Sequence, residues 1–581
     1  MEIWFLGIEV NFIISSILPI TMKAVDVQFM DLMKQDLQFK TPIFQRLYDW
    51  RKKHCCTLFK DIQSLLEHPK IAIHFMGSIV YITEKEQNAS GTKQYLLIDG
   101  QQRITTFTLI FLILEDMAKR EKNEALATKI RNTCLINQYS NLDNKSKLIL
   151  TRRDNKLLQK LVYRLPLEEK EQQTNLFRQH NFLKDKFLEL NTKYSAEDIF
   201  DILSKLMIVD VSLKQGQDDP QQIFESLNAT GKELTSGDLI RNFILMNLSN
   251  ETQITIYNEY WSPMEKILGD DLTLFIKDYL YMKKGTSTNI KDSELYDIFK
   301  SYFYENHSHE KVDIIAADLY KFAKYYIAIS EQNDKTEKVN RALIDLNSLE
   351  FDSYYPLLLR IFDEYSEDRL SPDDLTLIIR AIESFLFRRS ICEVATNSLN
   401  PIFRTIWGKI DVSNIRASFM ENLKQGEDNK RWPNDEEFAE KLKFNNLYGN
   451  LYGYLKILLE EMEKYDNKEA NKDFSSLTVE HILPRTGGDP EKLSDNWKKM
   501  LGADYKEIRN EWIDKLGNLT LTGYNSELSD NDFEEKKRLF IDSGLRLNKQ
   551  IAEYAQWNEE SIKNRSDNLI KVCLKRWSYS D

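Results

Sequence analysis

A β-rich run, QYLLIDG (94–100), passes without a spacer into twenty residues of helical pattern, QQRITTFTLIFLILEDMAKR (101–120). Strand, tight turn and apolar helix follow one another directly, and this junction constrains the N-terminal fold more than any other feature. A second β-rich run, HFMGSIVYI (74–82), precedes it across the polar loop EKEQNASGT (84–92). Residues 121–205 carry amphipathic helical patterns, and LMIVDVSL (206–213) reads as another buried strand. DDPQQIFESLNATGKELTSGDLIRNFIL (218–245) supplies a helix, a Gly turn and a second helix with Thr235 or Ser236 as its N-cap. From 246 to 470 the pattern is almost wholly helical, with weak breaks at 285–289, 371–374 and 425–437. The last break is the expected linker. The expectation is therefore an α+β chain, predominantly helical.

Composition narrows the classes. The chain has 581 residues, 42% of them hydrophobic, which excludes a disordered or collagen-like protein. Length alone favours two to four domains at roughly 150 residues each. Cys55, Cys56, Cys134, Cys392 and Cys573 are scattered and form no CxxC pair, so a zinc knuckle and a secreted disulfide framework are both disfavoured. A reduced, cytoplasmic compartment is expected. The net charge of −12 is uneven: residues 1–250 sum to +2, 251–470 to −12 and 471–581 to −2. That pattern excludes a basic-tail DNA binder but leaves room for a local basic groove. Residues 1–20 are apolar, yet Glu2, Glu9 and Asn11 interrupt them, and neither a signal peptide nor a membrane span is expected. Translation is expected to begin at Met22, with residues 1–21 a mis-called start; the alternative is an extra strand or helix packed on the first domain.

At the strand-to-helix junction stand Asp99, Gly100, Gln101, Gln102 and Arg103. A helix start offers unpaired N–H groups and a positive dipole end to an anion, Gly100 permits close approach, and Arg103 can fork onto a phosphate. Asp99 could hold a metal or polarise a water. The plainer alternative is a tight turn in which Asp99 caps the helix. Upstream, FKTPIFQRLYDW (39–50) crowds Pro42, Gln45, Arg46, Tyr48 and Trp50 together, either as a polar and aromatic pocket or as a helix start with its aromatics in the core.

Near the other end, His481 is the one histidine beyond residue 309, in SLTVEHILPRTGG (476–488). A single-metal nuclease needs an imidazole to take a proton from water and a hard cation held by oxygen ligands. His481 can be the base, Glu480 and Asn525 oxygen ligands for Mg²⁺, and Asn518 a clamp on the His481 loop. The plainer alternative is a satisfied loop histidine beside an ordinary Asn-Leu-Thr-Leu strand.

Taken together, these segments resemble the GmrSD type IV restriction family. In the N-terminal half the match runs from P-x-x-QR-x-Y-x-W through a G-S-I strand and DGQQR to F-x-x-LN-x-x-G-x-x-L-x-x-x-D-L, over roughly residues 25–245. In the C-terminal half it is V-E-H-I-x-P, a Trp, L-G-N-L-T-L, an Asn and F-x-x-K, continuing into closing W-x-x-x-x-I-x-x-R helices, over roughly 441–578. The resemblance implies a ParB/sulfiredoxin-like α/β domain over 22–250, a helical connecting region over 251–440 and a His-Me finger (HNH-type, ββα-metal) nuclease domain over 441–581. It implies that Gln45, Arg46, Asp99, Gly100, Gln101, Gln102 and Arg103 serve a nucleoside triphosphate, ATP, GTP or another. No GxxxxGK[ST] is present, so a P-loop is not the route. It further implies His481 as general base, Glu480 and Asn525 as ligands of Mg²⁺ or Mn²⁺, and Asn518 as the structural asparagine. Asn228 and Asp238 also stand at motif positions, without a clear role.

Four cations are candidate phosphate contacts: Lys536 and Lys537, and Arg388 and Arg389 in the basic patch ESFLFRRSICEVATNSLNPIFRTI (383–406). For each pair a plain helix-surface or helix-end role is the alternative. His307 and His309 are expected in a surface loop, Cys55 and Cys56 in a packed helix, and the Tyr and Phe of 251–360 in core. The expected function is an NTP-regulated, metal-dependent endonuclease acting on modified double-stranded phage DNA, with NTP hydrolysis and no membrane association. A homodimer is left open. The rivals are a non-cutting NTP-dependent sensor or partner-recruiting protein, and a nuclease acting on RNA.

Overall fold

The computed structural model describes residues 23–83, 92–138, 140, 144–214, 221, 223, 225, 235–246, 248–306, 312–465 and 474–579. The readings made for residues 1–21, for most of the 84–92 loop, for Asn228 and for His307 and His309 fall outside them. The chain is mostly helical, with a mixed sheet near the N-terminus, in agreement with an α+β class. Among the described residues no helix is long and apolar enough to cross a membrane. The chain forms two compact units, 1–263 with 292–316, and 264–291 with 317–581. The helical region expected over 251–440 is thus shared between them.

In the first unit six strands, β1 (Lys23–Gln28), β2 (Leu37–Lys40), β3 (His74–Thr83), β4 (Lys93–Asp99), β5 (Leu148–Ile149) and β6 (Leu206–Leu213), form one sheet of order β1-β6-β3-β4-β2-β5. β1 pairs antiparallel with β6, and β3 antiparallel with β4; the remaining neighbours are parallel. The β3–β4 ladder shifts register between Val80 and Tyr81, so Val80 stands opposite Asp99 at the strand end. Helix α1 (Lys52–Glu67) buries Cys55, Leu58, Phe59, Ile62, Leu65 and Leu66 on one face, and Cys56 is half-buried beside them. Helix α2 (Gln101–Arg120) begins where β4 ends. It is apolar around most of its circumference and lies within the core, where Phe107 meets Phe29 at 4.5 Å between ring centres. Helix α3 (Asn175–Leu190) closes the same core through Phe187, whose ring meets Phe59 edge-on at 5.3 Å. Helix α4 (Ser236–Leu245) is capped by Thr235, whose hydroxyl accepts from Asp238 N at 3.1 Å while Asp238 accepts from Thr235 N at 3.3 Å, a reciprocal capping box.

The second unit is helical apart from one short antiparallel pair, β7 (Thr478–His481) and β8 (Leu519–Thr522), with His481 opposite Leu519 and Glu480 opposite Thr520. The segment 425–437 is not the expected linker. Trp432 is buried, and the carbonyls of Asn429, Arg431 and Pro433 accept hydrogen bonds from two arginines of helix α5 (Pro372–Ile391). A Pro-containing polar stretch reads as a linker by composition. Here its backbone is the acceptor set that lets two guanidinium groups be buried.

Candidate functional sites

The junction at Asp99–Arg103 is a left-handed turn. Gly100 has φ +93°, and a Cβ there would lie 3.1 Å from the Ile79 side chain and 3.2 Å from the Ser78 carbonyl oxygen, so only glycine fits. Asp99 does not cap the helix; the N-cap is Gly100, without a side-chain bond. The segment 42–51 is neither strand nor helix, and glutamines hold its backbone in place. Gln45 Nε2 donates to Ile98 O at 2.9 Å, Gln101 Nε2 to Arg46 O at 2.9 Å, and Gln102 Nε2 to Leu47 O at 3.2 Å. Gln102 Oε1 in turn accepts from Asp49 N at 2.8 Å. Tyr48 is buried, its hydroxyl 2.8 Å from Thr106 Oγ1, and burial pushes that phenol well above its usual range. Arg241 of α4 donates to Phe44 O at 2.6 Å.

The three glutamines are therefore buried struts. The ionic side chains around them remain partly exposed: Arg46 lies 3.5 Å from Asp49, and Arg103 lies 3.9 Å from Asp99 and also donates to Ser78 O. Gly77, with φ +99°, makes room for that guanidinium, since a Cβ there would stand 3.1 Å from it. The N–H groups of Gln101, Gln102 and Arg103 have no partner among the described residues, as at any helix start. An anion at that start, between Arg46 and Arg103, fits this arrangement. The two motifs that stood apart in sequence, PIFQRLYDW and DGQQR, are one structural object.

The second site lies around β7 and β8. Asn518 is fully buried. Its Oδ1 accepts from Leu483 N at 2.8 Å, and its Nδ2 donates to Leu483 O at 3.1 Å and Ile513 O at 2.9 Å. Its backbone O accepts from Ile482 N at 2.9 Å. One side chain thus ties the loop after His481 to the turn before β8. Helix α8 (Glu559–Arg576) braces that turn; α6 (Tyr452–Lys464) and α7 (Phe533–Ile541) lie earlier in the same unit. Gly517 meets α8 so closely that a Cβ would come within 2.1 Å of Ile562 O. Arg565 is buried, burial lowers it to about 10, and it donates to Gly517 O and Leu519 O, each at 2.8 Å. Trp557 Nε1 donates to Asn518 Oδ1 at 3.1 Å.

His481 itself is buried, 6% exposed, with the Tyr448 ring edge-on at 4.4 Å between centres. Its Nε2 lies 2.9 Å from Asp514 Oδ1, a residue the sequence reading passed over. Burial works to raise the Asp514 carboxyl. The hydrogen bond and charge of His481, with Arg485 and Arg509 nearby, outweigh burial and hold it below the usual value. Arg485 is half-exposed, 3.9 Å from Asp514 and over the Tyr448 ring.

Glu480 pairs with Lys536 Nζ of α7 at 2.8 Å, and Lys536 also donates to His481 O at 2.8 Å. Asn525 Nδ2 donates to Thr478 Oγ1 at 2.6 Å, on the strand-face position shared by Thr478 and Glu480. Asn525 Oδ1 is buried with no partner, and Glu480 Oε2 has none among the described residues. Two unpartnered hard oxygens suit a Mg²⁺ that keeps most of its waters, although no cluster of three or more His, Cys, Asp or Glu exists among the described residues.

The expected phosphate contacts need correction. Lys536 is fully buried in its ion pair, so it cannot reach a phosphate without stranding Glu480. Arg388 is fully buried and donates to Trp577 O, Pro433 O and Asp435; Arg389 is 2% exposed and donates to Ala395 O, Arg431 O and Asn429 O. Both are structural: burial and these partners hold the guanidinium groups in the interior of the unit. Lys537 is half-buried with its ammonium on Tyr554 O at 2.8 Å. A run of two basic residues on a helix looks solvated in sequence; only the packing shows that these point inward.

Residues 29–245 match the family model described as GmrSD restriction endonuclease, N-terminal domain, and residues 432–572 match that described as GmrSD restriction endonucleases, C-terminal domain. No curated protein matches the chain.

Proposed function

The chain belongs to the GmrSD restriction endonuclease family, and from that membership we propose that it is a divalent-metal-dependent DNA endonuclease, regulated by a nucleoside triphosphate, that cuts modified foreign DNA. The observation that carries this reading is the setting of His481. Asp514 engages Nε2, while Nδ1 has no partner among the described residues and keeps its lone pair for a proton. In the proposed reaction His481 takes a proton from the attacking water at Nδ1. Asn518 holds the loop after His481, and Lys536 holds Glu480 and the His481 carbonyl, so the imidazole need not reorganise during the step. Glu480 and Asn525 would hold the cation. When bound, it neutralises charge on the scissile phosphate and on the leaving oxygen. Arg485 is the exposed cation beside His481 and takes the phosphate-contact role in place of the buried arginines.

In the N-terminal unit the triphosphate is proposed to sit at the start of α2, between Arg46 and Arg103, with Asp99 facing its metal or water. The buried glutamines position the loop rather than touch the nucleotide. The five cysteines are free thiols, in keeping with the cytoplasmic location proposed for an enzyme that meets invading DNA.

The test is cleavage of unmodified and modified phage DNA with Mg²⁺ or Mn²⁺, with and without nucleotide, by the wild type and by His481→Ala. Removing the base is expected to lower the cleavage rate by about 10²–10⁴-fold, with NTP hydrolysis retained. A fully active variant sinks the assignment. Wild-type protein that cuts no DNA, but binds nucleotide, moves the reading to a sensor. Cleavage of RNA alone moves it to an RNA nuclease.

A further inference from the structure

We propose that Asp514 is the positioning residue of the His481 base: it selects the imidazole tautomer and ring orientation that leave Nδ1 facing the water. The inference rests on the nuclease reading of His481 given above.

An ionised carboxylate can only accept hydrogen bonds. With Oδ1 2.9 Å from Nε2, Asp514 therefore fixes the ring proton on Nε2 and the lone pair on Nδ1. Without it, a neutral imidazole divides between two tautomers, one of which has no basic nitrogen on the Nδ1 side. Asp514 is suited to the task because its own place is overdetermined. It follows the helix Tyr505–Trp512, and its carbonyl accepts from Leu447 N at 3.1 Å. The next residue, Lys515, donates to Asn446 Oδ1 at 2.8 Å and to Phe444 O. The residue before it, Ile513, offers its carbonyl to Asn518 Nδ2 at 2.9 Å. One short turn thus orients the ring through Asp514 and the loop after it through Asn518. Tyr448 closes the ring's side, so the imidazole cannot flip without displacing an aromatic neighbour.

Two variants separate positioning from mere stability. In Asp514→Asn the charge is gone and the amide can donate an N–H to Nε2 in place of accepting from it, which moves the ring proton to Nδ1; in Asp514→Ala both charge and acceptor are gone. Expected for Asp514→Ala and for Asp514→Asn is a loss of at least about tenfold in kcat with KM for DNA within about twofold. The second readout needs no activity. In protein labelled with ¹⁵N-histidine, solid-state NMR at about pH 8, with the His481 signals identified by their absence from His481→Ala, is expected to show the Nε2–H tautomer in the wild type and the Nδ1–H tautomer in Asp514→Asn. A mixture of tautomers is expected in Asp514→Ala. Wild-type kcat in Asp514→Ala, or an unchanged tautomer there, overturns the proposal. If His481→Ala is itself fully active, the nuclease reading has failed, and the NMR comparison still decides whether Asp514 sets the ring.

Discussion

Gly517 and Asn518 show how narrow the tolerances are at single residues. Gly517→Ala would drive a methyl against the Ile562 carbonyl, which stands 2.1 Å from that position. The expected cost is about 1–3 kcal/mol, as for other overpacked sites, visible as a lower Tm. A melt unchanged from wild type would mean that α8 can shift freely. Asn518→Ala leaves Leu483 N–H and Trp557 Nε1–H buried without acceptors, each worth about 1–3 kcal/mol. It should lower both stability and cleavage. At this scale the sequence was readable wherever a residue has few uses. His481, Asn518 and Gly100 stand in short patterns that leave them little else to do. Asp514 was missed because an Asp at a helix end has many uses, and only its distance to His481 selects among them. Arg388, Arg389 and Lys536 were misread because charge predicts exposure on average, whereas buried charges are recognised only by their partners.

At the scale of elements, strands and helices followed from periodicity. β3, β4, β6 and α2 lie close to where the patterns placed them, because each is bounded by turn residues and buried on a recognisable face. The segment 42–51 was harder, since its order comes from groups 53 to 197 residues away rather than from its own repeat. A prediction belongs here. Gln102→Ala removes the strut to Leu47, Asp49 and Trp50 without touching an ionic side chain. Nucleotide affinity is expected to fall by about 1–2 kcal/mol, roughly five- to thirtyfold. Arg103→Ala should lower it at least as much. Equal affinity in wild type and both variants, by titration calorimetry, would remove the nucleotide from this site. A second concerns the helix Leu272–Lys284, where burial, aided by Asp352, pushes the Asp278 carboxyl up to about 8. Its folded value lies above its unfolded one, so its contribution to stability is present at low pH and is lost as pH rises from about 4 to about 8. Asp278→Asn should therefore gain Tm relative to wild type as pH rises through that window, and a constant difference between pH 5 and pH 9 would refute it.

At the scale of the molecule, a net charge of −12 obliges any DNA contact to be local. Arg485→Ala is expected to reduce the slope of log affinity against log salt by about one and to weaken modified and unmodified DNA alike. An unchanged slope would place the phosphate elsewhere. The division into two units was not readable from composition, because the described residues of 264–291 and 292–316 are both largely helical and of similar character yet belong to different bodies. The bracing of β8 by α8 has a further consequence, in time rather than space. Trp557 is made 39 residues after Asn518, and Arg565 46 residues after Leu519. Chains emerge from the ribosome N-terminus first. A nascent chain halted between Asn525 and Trp557 therefore already carries His481, Asp514 and Asn518 but lacks what locks them together. Chains truncated in that interval are expected not to nick DNA, and those extended past Arg565 to do so, which would keep the enzyme harmless to nearby nucleic acid while it is still being made.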